Sequence, residues 1–218
     1  MLMVIIWLVV YSILFNFFKE NLLFLCLILY SGLLYLYLYK SGKLIEYRLR
    51  LIDRNKLKYI GYLLPFIILP FLNIINGKII LISENLNGCV IGITIITAIM
   101  EELFFRGWLR TRIRERYSLL VTSSVFGICH IISDVGRVDI LYIIEHIIFA
   151  VCFGVIFFII SAFFDSLIPS AVLHILININ AFGEKESSCK YGVLLITIAV
   201  IYMVYSITVF KLYLNREK

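Results

Sequence analysis

The chain has 218 residues, 62% of them hydrophobic, and a mean hydropathy of +1.03. That balance excludes a soluble domain of this size and points to an all-α polytopic membrane protein, 1–218 forming a single integral-membrane domain. The apolar runs are continuous and do not alternate, which excludes a transmembrane barrel, and the net charge of +6 is read as topology, with no nucleic-acid partner.

The runs predict about eight transmembrane helices, at 2–18, 22–39, 59–82, 88–105, 117–133, 140–161, 166–182 and 191–211. Each is near the ~20 residues that a bilayer core requires. The first has no basic leader and no small-residue cleavage site, so it is expected to be an anchor. Pro65 and Pro70 are expected to kink the third span. Cys26, Cys89, Cys129, Cys152 and Cys189 mostly sit in apolar runs without paired spacing, so neither a disulfide framework nor a thiolate metal site is expected.

Basic residues orient the spans. Lys40, Lys43, Arg48, Arg50, Arg54, Lys56 and Lys58 precede the third, and Arg106, Arg110, Arg112, Arg114 and Arg116 follow the fourth. Lys211, Arg216 and Lys218 close the chain. Eight spans put these fifteen on one side, against Lys19, Lys78, Arg137, Lys185 and Lys190 on the other. The positive-inside rule then places both termini in the cytoplasm of what is read as a bacterial plasma-membrane protein. The two basic loops are read as topogenic charge beside anionic membrane lipid.

Polar groups interrupt the apolar spans at a few places. Glu101-Glu102-Leu103-Phe104-Phe105-Arg106 ends the fourth, and ionised groups at that depth cost at least ~2.5–3.5 kcal/mol each. Glu102 and Arg106 stand i,i+4 and can pair. Glu101 points about 100° away, with Thr97 and Thr94 on its face, and is left for a general base or a water ligand. In the fifth span Ser123, Gly127 and His130 share a face whose small residues admit a neighbouring helix. In the seventh, Ser170, His174 and Asn178 share a face and Asn180 lies off it. Glu145 and His146 adjoin in the sixth. Each has a structural explanation alone; together a Glu pair, two His and an Asn read as one convergent site. Depth tests this, since His174 lies about 12 Å and His130 about 20 Å from the cytoplasmic starts of their spans. Convergence therefore requires the fourth helix to run on through Arg110 or beyond.

The ordered set Glu-Glu-x-x-x-Arg, Phe-x-x-x-His (Phe126 to His130) and His-x-x-x-Asn (His174 to Asn178) resembles the CAAX protease and bacteriocin-processing family of intramembrane proteases, also called the Abi family. The resemblance covers a catalytic core at 88–182. It implies eight helices around a membrane-embedded cavity and an endopeptidase acting near a peptide's C-terminus or leader junction. Carried over, Glu101 and His130 hold and activate the attacking water, His174 and Asn178 stabilise the oxyanion, and Glu102 and Arg106 shape the site by pairing. Phe126 walls it. The family is described both as metal-free glutamate proteases and as metalloproteases. Glu101, His130 and His174 are suitable ligands for a zinc ion with one position open, although the scattered donors do not require one, and the metal-free form is the expectation. Glu145 and His146 lie outside the motifs, where they either line the cavity or pair with Arg137.

The expected substrate is a small peptide or lipidated protein, for CAAX-type cleavage, bacteriocin or signal-peptide maturation, or self-immunity. Two alternatives come from other classes: a non-catalytic bacteriocin immunity protein, and an ion- or proton-coupled transporter with a Glu/His relay. The second is disfavoured by the lack of repeated halves.

Overall fold

The computed structural model describes residues 20–68, 88–131, 138–181 and 192–216, all in helices and their connections, with no strand among them. Helix α1, Glu20–Lys40, buries one stripe, Leu23, Leu27, Leu34 and Leu38, while Leu25, Leu29, Leu33 and Leu36 face outwards. Such an exposed leucine face on a long apolar helix suits contact with lipid. The buried side meets α2, where Gly92 leaves room for the ring of Phe24.

After α1, Arg54–Leu63 form a 3-10 helix whose first turn is capped by Asp53 accepting from the Asn55 N–H at 2.8 Å. Its aromatic side chains anchor it. Tyr59 packs edge-on against Phe163, and the Tyr205 hydroxyl donates to the Tyr62 carbonyl at 3.1 Å. The expected span at 59–82 thus begins in a 3-10 segment, and Pro65 stands just after it. Pro70, the rest of that span and the whole of 2–18 lie outside the described residues.

Helix α2 spans Gly88–Arg112. Its first part is α-helical to Glu102, Leu103–Leu109 form a π-helix, and Arg110–Arg112 return to α geometry. The helix therefore does run past Arg110. Helices α3 (Glu115–Cys129), α4 (Ile140–Phe164), α5 (Ile168–Ala181) and α6 (Gly192–Arg216) complete the described chain. Helix α4 is hydrophobic all round, which suits a central helix, and it packs against α3, α5 and α6.

Helices α1, α2, α4 and α6 are long and apolar enough to cross a membrane. The protein is accordingly a helical integral membrane protein, but the expected count of eight spans is not confirmed. The spans expected at 117–133 and 166–182 are helices of only 15 and 14 residues, shorter than the ~20 a bilayer core requires.

Small residues set the spacing inside the bundle. A side chain on Gly127 would meet the backbone of Ile147 and Val151 of α4, and one on Gly154 would meet the backbone of Ser123 of α3. The small face of α3 thus seats α4 at backbone contact, which fixes where His130 lies.

Candidate active site

The site is built at the junction between the α and π parts of α2. Glu102 and Arg106, both fully buried, pair through Oε1 and Nη1 at 2.9 Å. The guanidinium also donates from Nη2 to the Gly154 carbonyl at 3.2 Å. It lies over the faces of Phe126 at 4.3 Å and Phe157 at 5.2 Å from the ring centroids. A buried ion pair needs such additional partners to offset its desolvation, and the aromatic faces supply cation–π attraction.

His174 comes to this pair from α5. Its Nδ1 lies 3.2 Å from Glu102 Oε1, an oxygen that also accepts from Arg106, so the hydrogen sits on Nδ1. Its Nε2 lies 3.6 Å from Oε2 of Glu101. The imidazole is stacked on Phe157 with centroids 4.8 Å apart and meets Phe126 edge-on at 5.5 Å. Ser170, one turn earlier, donates to the Leu167 carbonyl at 3.1 Å and lies beside Glu102. Glu101 has a side chain one-fifth exposed (21%) whereas that of Glu102 is sealed (0%). The two neighbours therefore differ in exposure.

His130 is the C-cap of α3. Its own N–H turns back to the Gly127 carbonyl at 3.2 Å. The Phe126 carbonyl, released from the helical ladder, is taken by His130 Nδ1 at 2.8 Å. A carbonyl can only accept, so Nδ1 carries hydrogen and Nε2 keeps its lone pair. The ring packs edge-on against His146 of α4, centroids 5.0 Å apart.

A cavity of about 40 Å³ opens among α3, α4 and α5, with His130, His146, His174 and Asn178 in its wall beside Phe126 and Phe157. That volume holds water, and the wall offers the polar partners that water requires. The motif residues of α3 and α5 thus share one cavity, and the motif residues of α2 reach it through His174.

Several features of the site were not legible in the motifs. The π-helix has no evident signal in Leu103–Leu109, although such segments recur at functional sites. The contact between Glu102 and His174 joins residues 72 positions apart, so Glu102 orients an imidazole as well as pairing with Arg106. His146 lies in the cavity wall, one of the two placements expected for it. Glu145 packs against Gly192 of α6, and Arg137 lies outside the described residues. The donor set expected for zinc does not converge: among the described residues no three His, Cys, Asp or Glu side chains come together as metal ligands. As arranged, Glu101, His130 and His174 do not fit that ion.

The fold and site together define a class: a helical membrane protein that buries a carboxylate–arginine–imidazole network beside a cavity large enough for water. Residues 84–180 match the Rce1-like family, described as type II CAAX prenyl endopeptidase Rce1-like. The three motifs fall inside that match, so residues 84–180 of this integral membrane protein are similar to that family. No curated protein and no solved structure matches the chain significantly.

Proposed function

We propose that the protein is an intramembrane endopeptidase that hydrolyses a peptide bond in a small peptide or a lipidated protein. One observation carries this reading: Glu101 and Glu102 of α2 flank the two nitrogens of His174 of α5 at 3.6 and 3.2 Å. A base open to water, a proton-exchanging imidazole and a sealed orienting carboxylate are the components that peptide hydrolysis uses. Similarity at 84–180 to CAAX prenyl endopeptidases supports the same reaction class.

In the proposed reaction a water held near Glu101 and the Nε2 lone pair of His130 attacks the scissile carbonyl. One water proton passes to the Glu101 carboxylate as the oxygen bonds to carbon. The carbonyl electron pair becomes an oxyanion, which accepts from the Asn178 amide and from His174 once Nε2 is protonated by Glu101. Collapse breaks the C–N bond, and the leaving amine takes the proton. Glu102 keeps the hydrogen of His174 on Nδ1, so that Nε2 is the atom that exchanges. No step requires a metal ion.

The test is mass spectrometry of candidate peptides, including C-terminally prenylated ones and bacteriocin leader junctions, with wild type and Glu101→Gln, with and without chelator. Cleavage by wild type alone, unchanged by chelator, is the expected result. Equal cleavage by both proteins would remove Glu101 from the mechanism, and loss with chelator would bring in a metal.

A further inference from the structure

The connection after α1, residues 41–53, is strapped onto the turn between α4 and α5. Arg48 Nε pairs with Asp165 Oδ1 at 3.0 Å, Arg50 Nη2 pairs with Oδ2, and Arg50 Nε donates to the Asp165 carbonyl at 2.9 Å. Backbone bonds reinforce the contact, from Leu167 N–H to the Arg48 carbonyl at 3.0 Å and from the Ser166 hydroxyl to the Arg50 carbonyl at 2.6 Å. Lys56 Nζ reaches the Phe163 carbonyl. Both Arg48 (φ 57) and Asp165 (φ 51) are held in the left-handed region, which non-glycine residues occupy only where their surroundings fix them.

Arg48, Arg50, Lys56 and Arg110 gather at this junction, where Asp165 pairs with Arg48 and Arg50 and Glu115 lies beside Arg110. The Arg48 side chain is only 12% exposed, against 45% for Arg50. Its Nη1 is buried without a hydrogen-bond partner. Burial, then the charges of Arg110 and Arg50, pull its guanidinium down to about 10. A buried donor left unmade costs about 1–3 kcal/mol, more when charged, so a planar guanidinium in a rigid loop is poised for a further anion.

We infer that Arg48, Arg50 and Arg110, at the end of the bundle where α2 leaves the membrane, form a binding site for a phosphate-type anion. The positive-inside rule puts this end at the cytoplasmic surface, where the phosphodiester of an anionic phospholipid is one source and soluble phosphate the other. Arginine suits either, because its fork binds phosphate oxygens in pairs. Arg110 Nε donates to the Arg106 carbonyl at 3.1 Å, but the site does not depend on the endopeptidase reading.

The experiment titrates the full-length protein in non-ionic detergent with short-chain phosphatidylglycerol, phosphatidylcholine or inorganic phosphate, and reads occupancy by native mass spectrometry. Phosphatidylglycerol is expected to bind and phosphatidylcholine not. Arg48→Gln and Arg110→Gln should each weaken binding about fivefold or more. Arg112→Gln, which removes one equally basic but exposed group, should leave it unchanged. Inorganic phosphate binding with the same arginine dependence supports the site and names a soluble ligand. Arg110→Gln leaves the Asp165 pairs intact, so it stands as the test should Arg48→Gln misfold. No binding by wild type, or equal loss in all three variants, would overturn the site in favour of diffuse surface charge.

Discussion

Replacing Glu102 by alanine separates the structural role of its ion pair from the chemistry beside it. The substitution leaves Arg106, which is fully buried, with one hydrogen bond, to the Gly154 carbonyl at 3.2 Å, and with the aromatic faces of Phe126 and Phe157. Removing one partner of a buried pair costs about 3–5 kcal/mol, because the other charge stays in the interior. The faces already present cannot strengthen to offset this. A double replacement, Glu102→Leu with Arg106→Leu, removes both charges, and apolar replacements of a whole pair are often close to neutral. Here it still orphans His174 Nδ1, whose partner is Glu102 Oε1, at about 1–3 kcal/mol. The double variant is thus expected to be more stable than Glu102→Ala yet below wild type, and inactive. Equilibrium unfolding in detergent measures the first expectation and peptide cleavage the second. A loss under about 1 kcal/mol for Glu102→Ala, or a double variant no more stable than the single one, would refute a desolvated pair at this position.

Glu101→Gln should lower cleavage by roughly 10²–10⁴-fold, the range for a lost general base. Unfolding should barely change, because Glu101 is partly exposed and meets His174 only at 3.6 Å; unfolding together with the loss of activity would argue for a structural role instead. Gly127→Ala places a Cβ 3.0 Å from the Ile147 carbonyl, and a backbone atom cannot rotate away. Overpacking of this kind costs about 1–3 kcal/mol and should shift His130 from the cavity, so unfolding and cleavage should fall together, whereas a wild-type Tm would show that α3 and α4 are not in backbone contact. Asp165→Asn keeps a residue that tolerates the left-handed backbone and loses the Arg48 and Arg50 ion pairs. With Asp165 38% exposed, the cost is on the order of 0.2–1 kcal/mol, while Asp165→Val should add about 1–2 kcal/mol of backbone strain. Equal unfolding of the two variants would deny the strain at this turn.

Composition and periodicity were enough to read a helical membrane protein from the chain, because burial of ~20 consecutive apolar residues in lipid leaves the helix as the solution for the backbone. Local spacing was also enough to pair Glu102 with Arg106 and to predict the close approach at Gly127, since both depend on i,i+4 geometry and side-chain size alone. The continuation of α2 past Arg110 followed from matching depths along separate helices. Length in the spans was not legible. The apolar runs at 117–133 and 166–182 predict full crossings, but α3 closes at its His130 cap, and α5 begins beyond the left-handed Asp165.

What only the tertiary structure decided is which polar atoms meet. The sequence lists Glu101, Glu102, His130, His174 and Asn178, and helical geometry assigns each to a face. Whether Glu102 also holds His174, whether His146 joins the cavity wall, and whether three donors converge on a metal depend on the rotation and separation of helices far apart in the chain. Those are set by backbone contacts at Gly127 and Gly154 and by the π segment of α2. Likewise, the arginines before the 3-10 helix mark a membrane surface from sequence, but only docking onto Asp165 buries Arg48 and leaves its guanidinium short of an acceptor.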